Sequence, residues 1–250
     1  LQAIFINPFI WWAMRLITGF SYAGLYIVAE SWLNESATNR TRGKLFSFYM
    51  LISFSGMAGG QMLLNLSPPS SFELFLLVSL MISVAVIPIL LSVSRAPQFE
   101  IMEKVSIIQL YRVSPLGVIG IVFSGMAIGA IYAMGPVFAT EIGMPVKDVS
   151  FFMATIILGG FLFQYPLGWL SDLIGRRKVI LLSCIAGAGI SAFAFHFSDR
   201  DIISYFVIAC VGGFSLPLYA LCGVHINDYL NPTQMVAASG TIVLLSSLGA

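Results

Sequence analysis

Long apolar runs alternate with short polar breaks along the chain. They extend over Phe9 to Leu33, Leu45 to Leu66, Phe72 to Val93, Leu116 to Val137, Val149 to Leu170, Val179 to Phe197 and Ile202 to Val224, with an unfinished run from Met235. At about 1.5 Å per helical residue, runs of this length cross roughly 30 Å of hydrocarbon. The pattern predicts eight membrane helices, the last truncated. Pro88, Pro166 and Pro217 fall inside these runs. They are read as kinks, because membrane helices tolerate proline where neighbours satisfy the freed carbonyl.

Composition agrees with this reading. The 250 residues are 58% hydrophobic and 9% charged, with a net charge of +1. A mean hydropathy of +0.95 leaves too little polar surface for a water-soluble domain. The chain is read as an all-α membrane protein. Cys184, Cys210 and Cys222 lie in apolar runs at no metal-ligand spacing, so they read as small buried residues. The sequence begins at Leu1 and ends inside an apolar run, and is read as a piece of a longer protein.

The cations in the connections set an orientation. One set of alternate loops holds Arg40, Arg42, Lys44, Arg95, Lys104, Arg112, Arg176, Arg177 and Lys178, the other only Lys147 and Arg200. By the positive-inside rule the first set is cytoplasmic. The expected organisation is residues 1–93 as one half, 94–113 as a cytoplasmic linker and 114–250 as the other half. An internal echo supports two halves: GFSYAGLYIVAESWLN from Gly19 and GFSLPLYALCGVHINDYLN from Gly213 share a Gly-Phe-Ser start, a Tyr and an Asn-bearing exit.

The stretch GWLSDLIGRRKVILL, from Gly168 to Leu182, carries the most specific signal. Gly168, Leu170, Asp172, Gly175, Arg176, Arg177 and Leu181 resemble the signature loop of the major facilitator superfamily, with Leu173 departing from the pattern. Arg15 and Gly19 are similar to the family's fourth-helix signature, and Glu30 with Arg42-Gly43 resembles its connection between helices 4 and 5. The resemblance implies two six-helix halves, with this chain running from the end of helix 3 into helix 11. It looks closest to the bacterial YcaD-like branch. The second helix has Gly56 where an antiporter signature of the family has proline.

Several residues are candidates for the solute path. Arg15, Gly19, Tyr22, Tyr26 and Glu30 follow at spacings of four, three, four and four, forming one helical stripe. An Arg facing lipid there costs on the order of 2.5 to 3.5 kcal/mol, so Arg15 is expected to face the bundle interior or water. It is read either as an anion-attracting or proton-coupling group, or as a snorkelling or interhelical structural Arg. Tyr132, Gln164, Ser215 and Tyr219 offer uncharged donors and acceptors that suit a neutral or zwitterionic solute, or bonds between helices. Gly56, Gly59, Gly60, Gly159, Gly160, Gly212 and Gly213 are read as close-packing contacts.

Glu30, Arg42, Gly168, Asp172, Gly175, Arg176 and Arg177 are read as a cytoplasmic gate or latch, the alternatives being charges that only orient the helices and, for Glu30, a proton carrier. In the latch Asp172 approaches Arg42 and Gly43, while Arg176 or Arg177 meets Glu30. His225, near the equivalent of Glu30 in the repeat, is read as a satisfied interfacial residue or a titrating switch.

No P-loop, metal box, catalytic triad or nucleic-acid footprint is present, so no catalytic residue, metal or cofactor is assigned. The expected function is secondary active transport of a small solute by alternating access, with coupled protons as a further partner. The setting is the lipid bilayer of a bacterial inner membrane, with the protein a monomer. The rival readings are a membrane receptor or scaffold on the same fold, and a membrane-embedded acyltransferase.

Overall fold

A computed structural model describes residues 7–36, 42–68, 71–91, 105–194 and 202–249. All regular elements among them are helical: α1 (Pro8–Ser36), α2 (Arg42–Met62) with a 3-10 turn at Leu63–Asn65, α3 (Glu73–Leu91), α4 (Ile107–Val113), α5 (Pro115–Glu141), α6 (Val146–Ile174), α7 (Arg176–Ala194), α8 (Ile202–Ser215), α9 (Pro217–Asn227) and α10 (Pro232–Gly249). A chain immersed in hydrocarbon must satisfy its backbone internally, and a helix does so within one segment. Within the described residues, each expected apolar run coincides with helix. Among them, Pro115–Glu141, Val146–Ile174, Arg176–Ala194 and Ile203–Asn227 are long and apolar enough to cross a membrane, and Glu73–Pro88 and Ala238–Gly249 are shorter apolar helices.

Pro88 and Pro166 lie inside continuous helices rather than in loops. Pro217 opens α9 after a one-residue break at Leu216, whose backbone stays helical (φ −68°, ψ −39°). Polar side chains cap the starts of α1 and α4. Asn7 Oδ1 accepts from the Phe9 N–H at 2.9 Å, with Pro8 at the first helical position.

The linker is more structured than expected. Its last seven residues form α4, opened by a reciprocal capping box in which Gln109 N–H donates to Ser106 Oγ at 3.3 Å and Ser106 N–H donates to Gln109 Oε1 at 3.0 Å. Leu110 is fully buried, and Thr241 Oγ1 on α10 donates to the Val105 carbonyl at 2.9 Å. This end of the linker is therefore anchored to α10.

The chain divides into two compact units, Leu1–Ser53 with Leu63–Phe99, and Phe54–Met62 with Glu100–Ala250. In the first, Trp11 of α1 packs edge-on against Phe75 of α3 at 6.3 Å. In the second, α6 packs most extensively on α8, and α5 on α10 and α9. Glycines permit these crossings. A Cβ on Gly159 would collide with the backbone of Ala209, and one on Gly212 with the backbone of Ile156, so α6 and α8 touch backbone to backbone. Gly125 and Gly249 do the same for α5 and α10, against Ser246 and Val122.

The close-packing reading of Gly56, Gly59 and Gly60 differs from the structure. A Cβ on any of the three would meet no described atom within 4 Å.

Two apolar clusters form the interior of the second unit. One joins Leu110, Ile121, Val179, Leu221, Ile226 and Ile242, the other Ala139, Val149, Phe152, Met153 and Ile156. Leu116, Ile119, Phe123 and Met126 on α5 form an exposed apolar stripe, as do Leu158, Leu162, Tyr165 and Trp169 on α6. Such stripes would be costly in water and are solvated by hydrocarbon.

Candidate functional site

In the second unit, the charges of the described residues gather at helix ends: Arg112, Asp172, Arg176, Arg177, Lys178 and Asp228 at one end, Glu141, Lys147 and Asp148 at the other. Asp172, Arg176, Arg177, Lys178 and Asp228 line an open cavity of about 440 Å³ between the end of α6, the first turn of α7 and the end of α9.

Its geometry begins with Gly175. The signature segment, expected as a loop, is almost entirely helical: Gly168 to Ile174 complete α6, Arg176 opens α7, and only Gly175 separates them. Gly175 has φ 97° and ψ 138°, a region essentially closed to residues with a Cβ. This single break lets the Gly175 N–H donate to the Ser171 carbonyl at 3.2 Å as it closes α6.

Arg176 is the hub. Its Nη1 donates to Asp172 Oδ1 at 2.9 Å and to Ser171 Oγ at 3.2 Å, and its Nε donates to Asp228 Oδ2 just beyond α9. The Arg176 side chain is 24% exposed, against 66% for Asp172 and 43% for Asp228. One guanidinium fork thus connects three helices. Asp228 is absent from the candidates read from the sequence; the available signal is a lone carboxylate at the end of the repeat, facing the side that carries the cations. His225, only 6% exposed, stacks edge-to-face on Tyr229 at 5.3 Å and lines the same cavity.

Gly168 lies within α6 with open space at its Cβ position, and Arg177 is exposed at the cavity. The side chains of Glu30 and Arg42 lie outside the described residues, so the expected contacts of Glu30 with Arg176 or Arg177, and of Asp172 with Arg42 and Gly43, lie there too.

The solute-path candidates fall in both compact units. Arg15, Tyr22 and Tyr26 are exposed on α1. Tyr132, Gln164, Ser215 and Tyr219 are half-buried, Tyr132 packing on the Phe152 cluster and Tyr219 on the Ile121 cluster. Among the described residues no group of three or more His, Cys, Asp or Glu could hold a metal.

Membrane-crossing helices packed through glycines, with charge confined to their ends, define an integral, multi-pass α-helical membrane protein. A family model, Major Facilitator Superfamily, matches residues 1–250, and the chain belongs to that family. It is similar to an uncharacterized MFS-type transporter of Enterobacter sp. (strain 638), 27% identical over 248 residues. It is likewise similar to proteins named uncharacterized MFS-type transporter YcaD, from Escherichia fergusonii at 26% over 242 residues and from Salmonella newport (strain SL254) at 30% over 241. Each comparison covers 96% of this chain but 62% of the relative, so the chain spans about six tenths of the length of these relatives. No solved structure matches.

Proposed function

We propose that the protein is a secondary active transporter that moves a small solute by alternating access, driven by an ion or solute gradient. The observation that carries this reading is the Arg176 hub. At the end of a bundle whose described interior is free of formal charge, one guanidinium joins α6, α7 and α9 through two partly exposed carboxylates. Partly exposed pairs contribute about 0.2 to 1 kcal/mol each. They are weak enough to break in a conformational cycle and, acting together, shift a balance of a few kcal/mol.

Family membership and the relatives named MFS-type transporters support transport over the receptor and enzyme readings. In this proposal residues 1–93 and 114–250 belong to two halves joined by the linker 94–113. The Arg176 end is cytoplasmic, with Glu30 and Arg42 contributing to the same gate. The protein acts as a monomer in a bacterial inner membrane, and Arg15, Tyr22, Tyr26, Tyr132, Gln164, Ser215 and Tyr219 line the solute path.

The test is uptake of a solute library into proteoliposomes containing the full-length protein, with imposed proton, sodium or counter-solute gradients. Uptake that follows a gradient without nucleotide supports the proposal. Uptake that requires ATP and persists with all gradients collapsed refutes it.

A further inference from the structure

The first turn of α7 breaks an ordinary electrostatic rule. The N-terminal end of a helix carries partial positive charge and favours anions, yet Arg176, Arg177 and Lys178 occupy that turn in succession. Both nearby carboxylates, Asp172 and Asp228, are engaged by Arg176. Three cations against two carboxylates leave the cavity with a surplus of one positive charge, to which the helix end adds.

The backbone is also unsatisfied. The N–H groups of Lys178 and Val179 donate to the Gly175 carbonyl at 3.2 and 3.4 Å, while those of Arg176 and Arg177 donate to no described carbonyl. Independently, His225 is more than nine-tenths buried against this cavity, stacks on Tyr229 and forms no hydrogen bond with any described residue. Its ring nitrogens are therefore unused and open toward the cavity.

We propose that this cavity binds a phosphate-bearing anion, with Arg177, Lys178, the free N–H groups of the α7 first turn and His225 as its donors. A phosphate offers several acceptor oxygens to a cluster that is all donors, and a helix N-terminus is suited to holding it. The Arg176 guanidinium offsets one of the two carboxylates, and Arg177, Lys178 and the helix end outweigh the other. A volume of about 440 Å³ accommodates a phosphate ester as well as the free ion. Two sources share this chemistry, the headgroup of an anionic phospholipid and a soluble phosphate. Binding does not depend on the transport reading.

The experiment uses the full-length protein purified in a non-ionic detergent, where topology no longer matters. One arm measures retention of added dioleoylphosphatidylglycerol by native mass spectrometry. The other measures the thermal shift caused by inorganic phosphate against chloride at equal ionic strength. Binding of at least one probe is expected, with at least a five-fold loss in Arg177→Gln/Lys178→Gln and retention in Arg177→Lys/Lys178→Arg. Lipid retention alone identifies a headgroup site, and a phosphate shift identifies a soluble ligand. In the unmodified protein, the binding probe should also protect Lys178 from acetic anhydride at least three-fold, a readout that requires no variant to fold. The proposal is overturned if neither probe binds, if the double variant binds like the parent, or if Lys178 stays equally reactive with probe bound.

Discussion

Arg176 at the start of α7 is ion-paired with Asp228, fifty-two residues further along and just beyond the end of α9. The same guanidinium bonds Asp172, four residues earlier in the last turns of α6. The local pair is the more exposed and spans the Gly175 break between α6 and α7. The distant pair carries the connection to α9.

Asp228→Asn is therefore expected to perturb the protein more than Asp172→Asn. In thermal unfolding of the purified protein the loss should be about 0.2 to 1 kcal/mol for Asp172→Asn and at the upper end of that range or beyond for Asp228→Asn. Exchanging the charges, Arg176→Asp with Asp228→Arg, should recover part of the loss. A double-mutant cycle with no coupling between positions 176 and 228 would contradict the hub.

The two glycines of the signature segment should behave differently. Gly175 has a positive φ, so Gly175→Ala is expected to cost about 1 to 3 kcal/mol through backbone strain alone. Gly168 is helical with open space at its Cβ position, and Gly168→Ala should be neutral or slightly stabilising. Denaturation midpoints of the two variants, measured side by side, check this. Equal effects would mean that the break between α6 and α7 is set by something other than Gly175.

The helices were legible in the sequence because membrane thickness imposes a length threshold that apolar runs either meet or miss. What failed to show depends on tertiary placement. Asp228 sits in the polar exit HINDYLN, where nothing local distinguishes it from a solvated turn residue, and the repeat points instead to His225, three residues before it. The helix α4 is only seven residues long, too short for an apolar-run criterion, although Ser106 and Gln109 stand at capping-box spacing. Glycine spacing pointed to close packing without separating Gly159 and Gly212, which touch backbone, from Gly56, Gly59 and Gly60, which face open space.

The α6–α8 crossing gives a further prediction. Added side chains at Gly159 or Gly212 would overlap the backbone of the facing helix rather than a movable side chain. Gly159→Val or Gly212→Val should cost about 1 to 3 kcal/mol through overpacking. The double variant should lose less than the sum of the singles, because either one already forces the helices apart. Gly189→Val on α7, with no atom near its Cβ position, is the control and should leave the melting temperature nearly unchanged apart from a small propensity gain.

The stripe on α1 tests the proposed solute path. Arg15 is exposed, and Tyr22 and Tyr26 retain 46% and 50% of their surface, so three polar-tipped side chains at helical spacing lie open along a helix of otherwise apolar character. Exposure to lipid would cost Arg15 on the order of 2.5 to 3.5 kcal/mol, and exposure to a water-filled path would not. Arg15→Ala is expected to lower solute uptake at least ten-fold while leaving folded yield within two-fold of the parent. Arg15→Lys should retain part of the uptake if charge matters more than the planar guanidinium. After Cys184, Cys210 and Cys222 are replaced by Ser, the Arg15→Cys variant should react with a membrane-impermeant thiol reagent, and added solute should slow the reaction. A thiol at this position that stays unreactive under both inward-facing and outward-facing gradients would remove Arg15 from the solute path and leave it a structural residue between helices.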